Sequence, residues 1–164
     1  MNPGHPNAGD PFAAFRGDHA RVLERLAALD AGVLGASGPL DVAPLRDLVA
    51  HLERQFATHM AAEDRVLFPA LSAAFPEARG TLEPLVEEHA EMRQMLVSLR
   101  RLLDQSPDAA RDEQLLVLAR DLSDLLRLHI RKEESVVLDV AARVLSRAEL
   151  DAMAAGLESF RNPT

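Results

Sequence analysis

The sequence predicts an all-α chain, an up-down four-helix bundle followed by a short fifth helix, and three observations point there. Hydrophobic residues make up 48% of 164 and aromatics only 4%, with no Trp or Tyr, an aliphatic, charge-laced composition that favours helices over a sandwich or barrel. A capping residue followed by proline, which opens helices, recurs along the chain at Asp10-Pro11 and Ser106-Pro107. The breaks between periodic segments are short, which makes neighbouring helices antiparallel.

Residues 1–9 are rich in Pro, Gly and Asn and read as a disordered tail. Asp10 as cap and Pro11 at the first position start a first helix that runs to about Leu34, weakened slightly by Gly17, and "GASGPL" ends it. A second helix begins near Asp41, tolerates Pro44 in its first turn and runs toward Ala74. Pro69 removes a backbone bond and is expected to kink or fray its last turn. "FPEARGT" leads to a third helix over about Leu82–Asp104, again with an early proline, Pro84. Ser106-Pro107 opens a fourth helix reaching about Leu145. Ser146-Arg147-Ala148-Glu149 has the spacing of a capping box and starts the fifth. The bundle therefore occupies 10–145, and a C-terminal helix and tail occupy 146–164.

The composition also excludes. The formal net charge is −8 with no Lys/Arg-rich block, which argues against nucleic acid or an anionic membrane surface as partner. With no cysteine, disulfides, thiolate metal sites and thiol catalysis are ruled out. No apolar run approaches the roughly 20 residues of a membrane-spanning helix. The N-terminus lacks the basic and apolar stretches of a secretory signal, so the expected location is cytoplasmic.

Sliding the chain by seventy residues aligns its most chemically expensive side chains without a gap. His19 falls on His89, His59 on His129, Glu63 on Glu133, Asp18 on Glu88 and Asp64 on Glu134, while Val66 falls on Val136. Four of the six histidines take part; His5 lies in the tail and His51 falls on Asp121. A single His-x-x-x-Glu is weak, because such pairs are common on solvated helix faces. Two in register, with two further histidines set among apolar neighbours, describe an inward-facing cluster with one part on each helix.

Four imidazoles and two carboxylates in an apolar centre are costly unless they bind something. The nitrogen–oxygen donor set suits first-row transition metals, iron foremost. Six ligands are too many for one zinc but suit two irons bridged by both carboxylates. Gln55 and His51 precede His59 by one and two turns and share its face. Gln55 is a candidate either to donate a hydrogen bond from behind the ligands or to occupy the open side of an iron, and His51 reads as a partly solvated residue near a bundle end, with ligation as its lesser alternative. Arg65 and Lys132 read as charges on solvated faces.

The set His19, His59-x-x-x-Glu63-Asp64 followed by "VLFP", Glu88-His89 and His129-x-x-x-Glu133-Glu134 resembles hemerythrin-like (HHE cation-binding) proteins, over about Phe12 to Leu145. The resemblance implies a four-helix bundle around a non-haem di-iron centre, oxo- or hydroxo-bridged. Glu63 and Glu133 would be the bridging carboxylates, with His19, His59, His89 and His129 as terminal ligands. Oxygen carriers of that family place a second histidine one turn after the third-helix one; here that position is Arg93, which has no free lone pair to give. They also place the fourth-helix acid five residues after its histidine. Glu134 stands there, but the repeat favours Glu133. The H, HxxxE, H, HxxxE pattern is similar to a bacterial subgroup associated with hydrogen peroxide or nitric oxide chemistry, with catalase-like or peroxidase-like turnover and a role in oxidative stress. A missing histidine opens a coordination position, and Arg93 would pair with a carboxylate or orient peroxide if it turned inward. The alternatives are reversible O2 binding or sensing, and iron buffering without turnover. Ferritin-like Glu-x-x-His pairs are absent, and a bis-histidine haem has no use for two in-register glutamates.

Overall fold

A computed structural model describes residues 10–34 and 40–161, and all of its regular structure is helical. The expected tail at 1–9, most of the break at 35–40, and residues 162–164 lie outside the described residues. Helix α1 (Ala13–Leu29) continues into a wide π turn at Asp30–Leu34. α2 (Ala43–Ala57), α3 (His59–Ala62) and α4 (Phe68–Ala74) stack into a second rod, with a π turn at Glu63–Leu67 between α3 and α4. A 3-10 turn at Pro76–Ala78 leads into α5 (Arg79–Leu103), the third rod. α6 (Ala109–Lys132), a π turn at Glu133–Val137 and α7 (Leu138–Val144) form the fourth. α8 (Arg147–Arg161) is the fifth.

Periodicity explains why these segments turn inward as they do. In α5 the buried positions are Leu82, Leu85, His89, Met92, Leu96, Leu99 and Leu103, alternating steps of three and four that keep one stripe on the core. In α6 they include Leu115, Ala119, Leu122, Leu126 and His129, with Glu133 next in the same rhythm. The histidines thus occupy core positions of otherwise ordinary amphipathic helices. Each rod packs on the next in chain order, and the first closes on the fourth. The cross-links run antiparallel: Asp18 meets His59 while Arg25 meets Asp47, and Asp64 meets His89 while Glu53 meets Arg100.

The helix starts follow the sequence with small displacements. The Asp10 side chain accepts from the Phe12 N–H at 2.9 Å, so the expected cap acts just ahead of α1. The third rod begins at Arg79, three residues before the expected Leu82, because the 3-10 turn already supplies a helical lead-in. The fourth rod is capped by Asp108 rather than Ser106: its carboxylate accepts from the Arg111 N–H at 2.8 Å. The Ser146–Glu149 capping box forms reciprocally, at 2.7 and 3.3 Å. α8 then runs for 15 residues and buries Met153. It seats on α3 and the following π turn, so closely that a Cβ at Gly156 would stand 3.1 Å from Val66.

Pro69 needs a correction. The chain stays helical to Ala74, and the irregularity begins upstream of the proline, where the Phe68 N–H reaches back five residues to the Glu63 carbonyl. The same π turn recurs at Glu133–Val137, where the Leu138 N–H bonds the Glu133 carbonyl, and the residue matching Pro69 there is Asp139. Proline does not cause the wide turn; it sits where the ladder has already slipped and one N–H fewer costs little. A break at Thr58 was not foreseen from the sequence. Its hydroxyl donates to the Arg54 carbonyl at 3.2 Å and its backbone leaves helical geometry at φ −118°, ψ −76°, a local bond that competes with the helix ladder.

The apolar interior is in two parts. One layer gathers Leu26, Leu48, Leu52, Met92, Leu99 and Leu122, the other Phe12, Phe15, Leu67, Phe68, Leu85 and Leu138. The polar cluster lies on residues between them in each rod. Among the described residues, no helix is long and apolar enough to cross a membrane.

Candidate metal centre

The π turns of the second and fourth rods each begin on a glutamate. A wider turn spreads more residues around each revolution, so consecutive side chains are separated by a smaller angle than in an α-helix. Glu63 and Asp64, and likewise Glu133 and Glu134, can therefore both work on the bundle's interior. Glu63 and Glu133 are each 1% exposed. Their oxygens lie where four histidine Nε2 atoms converge: His19 Nε2 is 3.2 Å from His59 Nε2, and His89 Nε2 is 3.1 Å from His129 Nε2.

Each glutamate faces both histidine pairs. Glu63 puts Oε1 3.0 Å from His59 Nε2 and Oε2 3.5 Å from His89 Nε2. Glu133 puts Oε1 3.0 Å from His129 Nε2 and Oε2 3.0 Å from His19 Nε2. The result is two groups of buried donors that can each hold a metal ion, His19–His59–Glu63–Glu133 and Glu63–His89–His129–Glu133, with both carboxylates shared. The six residues aligned by the repeat are brought together. Glu134 is not among them.

The other ring nitrogen of each of these four histidines is held by a second carboxylate. Asp18 Oδ2 lies 3.1 Å from His59 Nδ1, and Glu88 Oε2 2.8 Å from His129 Nδ1. Asp64 Oδ1 lies 2.9 Å from His89 Nδ1, and Glu134 Oε1 3.0 Å from His19 Nδ1. A carboxylate on Nδ1 fixes the ring's orientation and keeps that nitrogen protonated, leaving Nε2 to point at the centre. These four acids were visible in the repeat as matched neighbours of the donors; that each holds a histidine of another helix was not. The signal was present in the paired acids Asp18/Glu88 and Asp64/Glu134.

Behind these acids stand cations. Arg21 pairs with Asp18 and Lys132 with Glu88, while Arg93 reaches Asp64 at 3.5 Å and Arg16 reaches Glu134 at 4.0 Å. Lys132 is thus no solvated-face charge. Burial works against charge on Glu88, but Lys132 and His129 outweigh it and hold its carboxyl below the usual range. Arg93 does not enter the centre: its side chain is 48% exposed and lies over the Phe56 ring at 4.8 Å. The space beside His89 is closed by Phe56 and Phe68, the latter stacked at 6.0 Å. Arg65 is exposed, as its sequence suggests, with its guanidinium 5.9 Å from the Phe160 ring.

The open space lies on the other side. A cavity of about 20 Å³ borders His19, His59, His129 and Glu133, with Gln55 and apolar side chains such as Val22 and Met60 completing its wall. His51 is buried with its Nε2 unpartnered and takes part in neither donor group. Burial, then Arg25 and Arg54, hold it below its ordinary range.

Electrostatics decides what this centre needs. All four oxygens of Glu63 and Glu133 are buried, and among the described residues only the imidazole nitrogens face them, so without a proton on those nitrogens the oxygens have no donor. Unsatisfied buried acceptors cost about 1–3 kcal/mol each. Four would consume most of the roughly 5–15 kcal/mol by which a domain is stable. Protons offer one answer. Burial resists charge on His59, but Glu63, Asp18 and Glu133 overcome it and push its pKa up to about 10. His129 is pushed to about 9 against burial, chiefly by Glu133. Glu133 is held below the usual carboxylate range, its desolvation outweighed by His129 and His19. Metal cations are the other answer: they neutralise the carboxylates and use lone pairs that protons would occupy. Nitrogen and oxygen donors, shared carboxylates and orphaned oxygens fit such ions.

The family model for the hemerythrin HHE cation-binding domain matches residues 10–141. No curated protein matches the chain. The chain belongs to the hemerythrin HHE cation-binding family.

Proposed function

We propose that this member of the family holds two iron ions and reacts with small oxidants, hydrogen peroxide first and nitric oxide second. The observation that carries the reading is that both donor groups share both carboxylates, whose four oxygens have no other partner. His19 and His59 would hold one ion, His89 and His129 the other, with Glu63 and Glu133 spanning them. When bound, the pair supplies two-electron exchange within one site, with no radical released.

The chain's own residues do the remainder. Asp18, Asp64, Glu88 and Glu134 keep each Nδ1 protonated and each Nε2 aimed inward. Phe56 and Phe68 seal the flank beside His89. The cavity beside His19 and His59 admits only a small molecule. No tyrosine exists to carry a side-chain radical.

Metal analysis with absorption spectroscopy tests the reading. Two irons per chain, an oxo-to-iron charge-transfer band and consumption of peroxide are expected. A stable oxygenated spectrum that reverses on deoxygenation would replace it with O2 carriage or sensing. Substoichiometric, chelator-labile metal that leaves melting unchanged would reduce the protein to an iron buffer.

A further inference from the structure

Gln55 is the polar residue in the cavity wall that neither the donor groups nor their carboxylate supports employ. Its Oε1 is buried and has no hydrogen-bond partner, and it shares that wall with Val22, Met60, Leu126 and Ile130 on one side and with Asp18, His19, His59, His129 and Glu133 of the centre on the other. An amide oxygen in such surroundings is an acceptor without a donor, a costly arrangement in a packed interior. The repeat sharpens the anomaly: the position matching Gln55 is Leu125, which packs against the core as an apolar residue should. The same helical position, one turn before a donor histidine, is therefore filled without a polar group in the other half.

The cavity's volume, about 20 Å³, is on the order of one water-sized group. A ligand that satisfies Oε1 must be little larger than that, enter as the flexible Met60 side chain gives way, and bring a hydrogen to donate. Dioxygen and nitric oxide bring none. We propose that Gln55 makes the centre selective for a small hydroperoxide, hydrogen peroxide above all, by accepting its O–H at Oε1. This rests on the reading of the centre as a redox site and names its preferred substrate class.

The test compares iron-loaded full-length protein with Gln55→Leu, the residue type of the matching half, and with Gln55→Met as a guard against a leucine-specific packing fault. Both variants are expected to raise KM for hydrogen peroxide about tenfold, the value of one hydrogen bond, with kcat changed less. Nitric oxide affinity, read from the absorption change on titration, is expected to stay within about twofold. Because each variant removes an orphaned acceptor, the melting temperature of metal-free protein is expected to rise, by roughly 2–4 °C for about 1 kcal/mol. Val22→Leu, which fills the cavity while leaving the Gln55 amide in the chain, is expected to weaken peroxide and nitric oxide together. tert-Butyl hydroperoxide is expected to be refused by the wild type.

The inference is overturned if both variants keep the wild-type KM, or if peroxide and nitric oxide weaken equally. A fall in melting temperature would also overturn it, since Oε1 would then have a structural partner. Wild-type protein that consumes peroxide while the variants match it sinks this inference alone. Iron-loaded wild type that leaves peroxide untouched sinks it together with the peroxide reading of the centre.

Discussion

The first half-bundle and the second build the same centre with different supports. Donors and the acids that hold them are duplicated position for position: His19, Asp18, His59, Glu63 and Asp64 against His89, Glu88, His129, Glu133 and Glu134. Even the exchange between helices is repeated, since Asp18 holds His59 as Glu88 holds His129, and Glu134 holds His19 as Asp64 holds His89. The layer behind is not duplicated. Arg21 reaches Asp18 from the next turn of its own helix, whereas Lys132 reaches Glu88 from another rod. The first half carries Thr58, Pro69 and Gln55 where the second has Leu128, Asp139 and Leu125.

The outer surfaces differ for a physical reason as well. Ala61, Ala62 and Val66 offer a small apolar bed on which α8 lies. The matching residues Arg131, Lys132 and Val136 carry two charges, and Val136 is 40% exposed. Geometry at the centre is thus repeated closely, while the charge support and the covering vary with what each side can solvate. Positions repeated in both halves are tied to the donors, and positions that differ are where peculiarities of this chain reside.

The largest effect would come from breaking what the halves share. Because each glutamate faces both donor groups, Glu63→Gln or Glu133→Gln is expected to cost both metals, lowering bound iron from two per chain toward none. His59→Ala or His129→Ala is expected to spare more. Metal analysis after gel filtration distinguishes these, and equal loss of one ion in all four variants would contradict a shared-carboxylate centre.

Removing metal comes next. The folded-state pKa values of His59 and His129, about 10 and about 9, lie above the unfolded value near 6.5. Their contribution to metal-free stability is full below the unfolded value and is lost as pH rises through about 9 and about 10. Chelator-treated protein should therefore melt at falling temperature over that window, while iron-loaded protein should hold steady. The loaded protein should instead release metal as pH falls, since protons compete for Nε2. Melting curves across pH with and without iron read both trends.

A smaller effect sharpens the comparison of the supports. Asp18→Asn and Glu88→Gln are expected to weaken metal binding about 10–100-fold, as loss of a carboxylate behind a ligand histidine does, and by similar factors in both halves. Asp64→Asn should cost more than Glu134→Gln, because Asp64 is 22% exposed against 36% and holds the fully buried His89. Competitive chelator titration ranks the four, and a reversed order would show that exposure does not set their weight.

The smallest effects fall on features of one half alone. Gly156→Val should lower stability by about 1–3 kcal/mol by forcing α8 off Val66, read by denaturant unfolding. Pro69→Ala should leave metal affinity within about twofold, because the second half makes the same turn without proline. A large loss of affinity would restore the proline as the turn's cause.

The all-helical fold, the core stripes and the clustering of His19, His59, Glu63, His89, His129 and Glu133 were legible in the sequence. They depend on spacing along a helix, a local property, and on a repeat whose matched positions must share surroundings. The resemblance of the same residues to a known family led to the same bundle. Where helices begin was legible only to within a few residues, because Asp108 and Ser106 are both competent caps and the chain's path chooses between them.

Other features were fixed only by the assembled bundle. The π turns, the part Glu134 takes behind His19, the outward course of Arg93 and the recruitment of Lys132 all depend on distances between rods. Glu133 and Glu134 are adjacent and chemically identical, so only the direction each takes from a widened turn separates an inward carboxylate from one that holds His19. A periodic sequence dictates which face of a helix is buried, because that follows from the chain's own geometry; which partner each buried group meets is a relation between helices, and it exists only once they have packed.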